Sequence, residues 1–225
     1  MENHQPILQY YNSIAGIYDT DRFGNSYGQY LHEQENAFLK RVILPDDPAV
    51  LDIGCGTGRF MDFATHGIDI SDEMLKRAKE KFPGKVFTHA DAERLPFEDG
   101  YFDKVLCMHV LMHLPKQKME HILGEAHRVL KQHGSFVFDV PSKSRRIFSG
   151  SNKKGWHGAS SYSVAEIKKL TRQHWQLKLY SGLLFLPIHR IPAKLRKPLL
   201  FFDSWVCRSV LKEYSSYLII VLQKK

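Results

Sequence analysis

Three glycines at alternate positions, Gly54, Gly56 and Gly58, follow directly on the short apolar run Val50-Leu51-Asp52-Ile53. A second such run, Gly67-Ile68-Asp69-Ile70, comes soon after and also carries an acid near its end. Glycine is required where a backbone turns with positive φ, or where a ligand approaches the main chain more closely than a Cβ allows. Three such positions at the exit of a strand make a nucleotide-site layout rather than an ordinary turn. A dinucleotide fingerprint reads G-x-G-x-x-G and places its ribose-binding acid about 20 residues further on. Here the glycines are spaced G-x-G-x-G, and Asp69 falls well short of that distance.

The segments around this loop alternate between two periodicities. A strand at 50–53 leads into a short helix after Gly58; a strand at 67–70 leads into a helix at 72–82, with Ser71 as N-cap and Asp72 and Glu73 in its first turn. Strands at 86–88 and 102–108, a helix at 116–130, a strand at 135–140, a helix at 164–174 and strands at 177–186 and 217–222 complete the series. Strands separated by helices predict an α/β fold: a Rossmann-like, doubly wound sheet, mostly parallel with an antiparallel last strand, and helices on both faces. Ahead of it, residues 9–42 read as helices, with Leu31, Phe38, Leu39 and Val42 on one face. The 225 residues form one domain on this reading. Residues 1–44 make a helical lid, 45–186 and 214–225 the core, and 187–213 an insertion on the substrate side.

In open α/β sheets ligands sit beyond the carboxyl ends of the strands, where strand order reverses. Those ends here are Asp52 with the glycine loop, Asp69-Ile70, Asp91-Ala92 and Met108-His109. The pattern acid-x-G-x-G-x-G resembles motif I of the class I S-adenosylmethionine-dependent methyltransferases. The segment Asp91-Ala92-Glu93-Arg94-Leu95-Pro96-Phe97-Glu98-Asp99-Gly100-Tyr101-Phe102-Asp103 matches that group's D-A-x-x-L-P-F-x-D-x-x-F-D signature. Glu125-Ala126-His127-Arg128-Val129-Leu130 resembles its helix-into-strand passage, with Gly134 turning the chain into the fifth strand. The likeness is to the quinone-biosynthesis branch of the group and covers roughly the core segments.

The resemblance implies S-adenosylmethionine as cofactor. By it, Gly54, Cys55, Gly56 and Gly58 take the methionine part, Asp52 lies near the amino group, and Asp69 holds both ribose hydroxyls. Asp91 accepts from the adenine amino group, Ile70 and Ala92 cover the ring, and Met108 lies at the fourth strand's end. Tyr10, Tyr11 and Tyr18 resemble the group's Y-F-x-x-x-A-x-x-Y-D entry and are lid candidates, with Tyr18 counted as a cofactor contact. For Asp52 a turn-capping role stays open, as does helix packing for Tyr18.

His109 and His113 follow the fourth strand at the place where the resemblance puts substrate against cofactor. Histidine titrates near neutrality and can take a hydroxyl proton, so both are candidate catalytic residues. A purely structural role for His113 remains open. Their i, i+4 spacing lacks the glutamate of H-E-x-x-H, and no metal site is expected. No N-P-P-Y or D-P-P-Y motif follows the fourth strand, which argues against methylation of adenine amines or glutamine side chains.

The acceptor expected from these features is a small or lipid-like molecule, methylated at oxygen. Phe148, Trp156, Tyr162, Phe185, Phe201, Phe202 and Trp205 crowd the later half, interleaved with Arg190, Lys194, Arg196, Lys197 and Arg208. An amphipathic basic stretch of this kind covers an apolar substrate or lies on an anionic membrane, although core packing is the commoner use of such aromatics. The net charge of +8, with basic groups at 143–146, 153–154 and 194–197, keeps a tRNA base-modifying enzyme open as the second reading. No RNA-binding module is evident, so nucleic acid is not the favoured partner. A catalytically silent cofactor-binding partner protein is the third reading. Met1-Glu2-Asn3-His4-Gln5 does not read as a secretory signal, and no apolar run approaches the roughly 18 residues of a membrane span. Three cysteines without C-x-x-C spacing point to reduced thiols and a cytoplasmic location.

Overall fold

The computed structural model describes residues 5–45, 47–150 and 160–225, so the expectations placed on Lys153, Lys154 and Trp156 lie outside the described residues. Three helices come first, α1 (Gln5–Ile14), α2 (Tyr18–Phe23) and α3 (Ser26–Val42). The alternating part follows: β1 (Val50–Ile53), β2 (His66–Asp69), α4 (Asp72–Lys81), β3 (Val86–His89), β4 (Phe102–Cys107), α5 (Lys116–Val129), β5 (Leu130–Pro141), α6 (Lys143–Phe148) and α7 (Val164–Thr171). Last come β6 (Trp175–Leu183), α8 (Ala193–Val206) and β7 (Tyr217–Lys224).

The seven strands form one sheet in the order β3-β2-β1-β4-β5-β7-β6. The pairs from β3 through β5 are parallel, and β7 runs antiparallel to both β5 and β6. The chain moves outward from β1 to β3 and then returns to pair β4 with β1, which puts the reversal of strand order between those two. Successive strand residues face opposite sides, so one strand feeds two cores. Phe136 and Phe138 of β5, with Ile220 and Leu222 of β7, meet Met119, Ile122 and Ala126 of α5. Val137, Ile219 and Val221 face the other way, onto Leu31, Phe38 and Leu39 of α3. α3 is thus a sheet-covering layer, while α1 and α2 lie toward the carboxyl ends of the strands.

Local signals set the helix boundaries. The Ser71 hydroxyl accepts from the Met74 amide, Asp72 and Glu73 fill the first turn of α4, and Lys79 and Lys81 fill its last; each complements the helix dipole. α7 begins with a reciprocal capping box between Ser163 and Glu166.

Several expectations need correction. The stretch after Gly58 is a run of turns rather than a helix, closed by bonds three residues apart such as Phe63 N to Phe60 O. Phe60, Met61 and Ala64 are all buried there, at a spacing that would also suit one face of a helix. β5 starts directly after α5, at Leu130. The left-handed residue at that junction is His133, φ 65°, rather than Gly134. Gly134 serves close approach instead, since a Cβ there would meet the Lys131 carbonyl oxygen at 2.9 Å. α7 stops at Thr171 and β6 at Leu183, where Leu184 turns left-handed at φ 56°. The 187–213 segment contains a 3₁₀ turn and α8, and α8 packs on α3. The buried Asp203 makes that junction, accepting from Tyr30 Oη at 3.1 Å, Gln34 Nε2 at 3.0 Å and the Leu186 amide at 2.7 Å.

Candidate active site

Gly54, Gly56 and Gly58 have φ of 70°, 54° and 88°. Two of them show what the sequence demands of the loop. A Cβ on Gly54 would sit 2.3 Å from Val110 Cγ2, so Gly54 lets the segment after β4 close on the loop. A Cβ on Gly56 would meet nothing within 4 Å. Its left-handed conformation strains a side chain, and the open space beside it belongs to the site.

The loop is tied to β2 by its amides. Gly54 N and Cys55 N both donate to the Ile68 carbonyl, at 2.8 and 2.9 Å. Gly56 N donates to Asp69 Oδ2 at 2.9 Å, and Ser71 N donates to Oδ1 of the same carboxylate at 2.9 Å. Asp69 is therefore held in one orientation between two backbone donors, each oxygen keeping further acceptor capacity. Burial raises its pKa, against the pull of the Ser71 and Gly56 amides. Asp52, one strand away, is pushed up to about 8, first by burial and then by the charge of Asp69.

A cavity opens at the carboxyl ends of β1, β2, β3 and β4, with about 850 Å³ of empty space when its open mouth is counted. Gly54, Gly56, Asp69, Ile70, Asp91 and Ala92 line one end. Met108, His109 and His113 line it along β4, and Tyr11 and Tyr18 from above. Asp52, Cys55 and Gly58 do not line it. Cys55 turns its sulfur into the core, where a Cβ on Gly67 would meet it at 2.8 Å, and burial drives that thiol's pKa well up. Gly58 backs onto the Phe82 ring. Residues not singled out from sequence also reach the cavity, among them Ile7 of α1 and Met74 of α4.

Arg128 of α5 fixes the Asp91 loop. Its guanidinium donates to the carbonyls of Leu95 and Phe97 at 2.9 and 2.7 Å, and to Glu125 and Asp99 at 2.8 Å each. Glu125 in turn accepts from the Leu95 amide at 2.7 Å.

His109 adopts φ 60°. Its amide donates to Asp139 Oδ1 at 2.5 Å, its Nδ1 lies 3.4 Å from Asp139 Oδ2, and its Nε2 meets Glu35 Oε1. The other Glu35 oxygen takes Arg59 Nη2, and the Arg59 guanidinium lies 3.7 Å from the Phe23 ring centre and 4.6 Å from that of Phe60. Burial disfavours charge on His109, but Asp139 and Glu35 outweigh it and its pKa is raised. Burial likewise works against ionised Glu35, but His109 and Arg59 prevail and lower its pKa. The result is a buried string of acid, imidazole, acid and guanidinium, Asp139, His109, Glu35, Arg59, in which burial raises the Asp139 pKa against the pull of His109. Both ring nitrogens of His109 face carboxylates, which favours its protonated form.

Sequence reasoning passed over Glu35, Arg59 and Asp139. Two signals were present: Asp139 interrupts the apolar run Phe136-Val137-Phe138, and Glu35 shares the stripe of Leu31, Phe38 and Leu39 on α3. His113 sits in the 3₁₀ turn Leu111–His113, and its Nε2 lies 3.2 Å from the Tyr11 hydroxyl. Asp19 fastens α2 to the loop by accepting from Thr57 Oγ1 at 2.6 Å and pairing with Lys81.

A glycine loop after β1, a clamped acid at the end of β2 and a seven-stranded sheet with β7 reversed give this chain the fold of the class I S-adenosylmethionine-dependent methyltransferases. The protein-family model described as a methyltransferase domain matches residues 51–138, the stretch that builds this end of the sheet. An uncharacterised protein of Methanocaldococcus jannaschii is 38% identical over 137 residues, covering 60% of this chain and 51% of that one. The ubiquinone/menaquinone biosynthesis C-methyltransferase UbiE of Campylobacter jejuni is 30% identical over 153 residues, covering 61% and 64%. This chain spans about half the length of the first curated relatives it matches. Among solved structures, a Thermotoga maritima S-adenosylmethionine-dependent methyltransferase, a possible histamine N-methyltransferase, superimposes with a TM-score of 0.69 at 20% identity, covering 97% and 99% of the two chains.

Proposed function

We propose that this protein transfers a methyl group from S-adenosylmethionine to the oxygen of a small, largely apolar or lipid-like acceptor. The observation that carries the reading is the single cavity that joins Gly56 and Asp69 to the Tyr11–His113 pair. The cofactor fits the residues present. The space beside Gly56 admits a ligand against bare backbone, and Asp69 retains acceptor capacity for a ribose diol. Asp91 and Ala92 would take the adenine. Arg59 Nη1 is buried without a hydrogen-bond partner among the described residues, and Arg59 stands behind the residues that line the cavity rather than among them. When bound, the cofactor supplies an electrophilic sulfonium methyl, so positioning dominates catalysis and contributes about 7 to 11 kcal/mol.

The chain's own residues handle the proton. Burial raises the Tyr11 pKa, so its phenol stays protonated. Tyr11 donates its proton to His113 Nε2 while its oxygen takes the proton of the acceptor hydroxyl, leaving His113 as imidazolium and the acceptor oxygen as the nucleophile. Asp139 and Glu35 favour the protonated form of His109, which forms part of the wall beside them.

The test is adenosylhomocysteine release against pooled phenols, quinol precursors and hydroxylated lipids. Turnover is expected with one of these pools. His113→Ala is expected to lower kcat about 10²- to 10⁴-fold while leaving adenosylhomocysteine affinity within twofold. Methyl transfer to tRNA, or to carbon or nitrogen of the acceptor with His113 dispensable, overturns the assignment of oxygen chemistry.

A further inference from the structure

α6 continues β5, α8 follows β6, and the 3₁₀ turn Lys212–Tyr214 leads into β7. Because β6 runs in the same direction as β5 and β7 against both, all three pieces lie at the carboxyl end of the sheet, on the cofactor side. Each carries large apolar side chains in water. Phe201 is 81% exposed and Val210 93%. Phe202 and Trp205, whose ring centres are 6.2 Å apart, are also exposed on α8. On α6, Phe148 is 74% exposed and its ring packs at 5.9 Å on that of Tyr214, itself exposed. Exposed apolar groups scattered singly are ordinary, but a group of this size at one end of a molecule marks a contact surface.

Charge selects what covers it. Between residues 190 and 212 the chain has six basic residues and a single acid, Asp203, which is wholly buried against Tyr30 and Gln34. Lys194 and Lys197 occupy the exposed first turns of α8 and Arg208 lies just beyond its end, while the neighbouring acid, Glu213 in the turn that carries Tyr214, accepts from the Tyr180 hydroxyl. A second copy of this chain would bring the same cations face to face and be repelled. Aromatic and aliphatic side chains flanked by lysine and arginine suit the interface of an anionic bilayer, where rings lie at headgroup depth and the cations meet lipid phosphates.

We propose that the outer face of α8, with Val210 and the Phe148–Tyr214 pair, docks this protein on an anionic lipid membrane and turns the mouth of its cavity toward the lipid. The inference concerns where the protein sits; absence of turnover on any acceptor would leave it standing, and absence of docking would leave the acceptor open.

Co-sedimentation of the full chain with phosphatidylcholine vesicles, with and without 30 mol% phosphatidylglycerol (a chosen assay composition, about a third anionic lipid), tests it. Binding to the anionic vesicles is expected, with at least tenfold loss on raising the salt from about 0.05 to 0.5 M or in the variant Phe201→Ser/Trp205→Ser. Lys194→Glu/Lys197→Glu is expected to lose binding to a similar degree. Adenosylhomocysteine affinity and the circular dichroism spectrum control for folding of each variant. The proposal is overturned by unchanged vesicle binding in both folded variants, by no binding to anionic vesicles at low salt, by tRNA binding in place of vesicle binding, or by a dimer in solution that Phe201→Ser/Trp205→Ser converts to monomer.

Discussion

Asp52 is a carboxyl whose burial works against its ionisation. Its folded pKa of about 8 lies above the ordinary value of 3.8, so the folded state binds the extra proton. The sign follows: below pH 4 both states are protonated and nothing is lost, the cost accumulates as pH rises toward 8, and above 8 it is constant. Asp52→Asn is therefore expected to raise the Tm of the cofactor-free protein at pH 8.5 and to leave it nearly unchanged at pH 4, as thermal unfolding across that range would show. If Asp52 faces the cofactor's ammonium, the same variant weakens adenosylhomocysteine binding at pH 8.5, and wild-type binding at pH 7 releases protons, measurable by calorimetry in buffers of different ionisation enthalpy. Equal Tm at both pH values would contradict the burial argument. At this scale the sequence was most legible where chemistry is local. Gly54, Gly56 and Asp69 lie within one strand-loop-strand unit, so spacing alone announces them. Glu35, Arg59 and Asp139 come together only through packing of α3 and β5 on the loop. A lone acid in an apolar stripe is a sign of such packing without an address for its partner.

Among the elements, the stretch from Asp91 to Asp103 shows how a motif can be recognised and its purpose still be missed. Its likeness to the family signature located the turn, but the agent that holds the turn is Arg128, a full helix away. Removing that guanidinium leaves the carbonyls of Leu95 and Phe97 and two carboxylates without their donor. With the side chain about a third exposed, Arg128→Ala is expected to cost about 2 kcal/mol. It should also weaken adenosylhomocysteine binding severalfold, because Asp91 and Ala92 lose their mooring. Arg128→Lys should recover little, since one ammonium cannot reach two carbonyls in the forked geometry. Denaturant unfolding and calorimetry on the two variants decide it; wild-type affinity in Arg128→Ala would detach the loop from the site. The helix expected after Gly58 failed for a different reason. Phe60, Met61 and Ala64 keep the spacing of a helix face, but the connection is closed by bonds three residues apart, a difference that apolar spacing does not distinguish.

The whole molecule is organised about its cavity, which Ile7 and Tyr11 of α1 cover and which the sheet, α4 and α5 wall. A ligand that fills it bridges elements that otherwise touch sparsely, notably α1, held by the Asn12–Ser71 contact at 2.5 Å. Saturating adenosylhomocysteine at about 100 times its Kd stabilises the folded state by about 2.7 kcal/mol, or roughly 5 to 11 °C in Tm for a chain of this size. NAD at the same concentration is expected to give no shift, since the loop spacing and the early acid do not suit a dinucleotide. A Tm that rises with NAD and not with adenosylhomocysteine would overturn the class assignment itself. The α/β alternation, the reversed β7 and the glycine loop at the turning point were all legible from pattern, because each is set by chain direction and burial. The role of α3 was not: its apolar face was evident, but whether that face covers a ligand or the sheet depends on what lies opposite.

One consequence of the strand order concerns time rather than space. β7 stands between β5 and β6, so β6 precedes in sequence the only strand it pairs with. A ribosome delivers β6 and α8 well before β7 emerges, and until then β6 has no hydrogen-bonding neighbour in the sheet. The nascent chain must hold two unpaired strand edges, on β5 and β6, together with the exposed rings of α8. Synthesis at about 5 to 20 residues per second makes that interval a matter of seconds. The insertion of β7 closes both edges in one event. Chaperone demand is expected to concentrate in the seconds before that insertion.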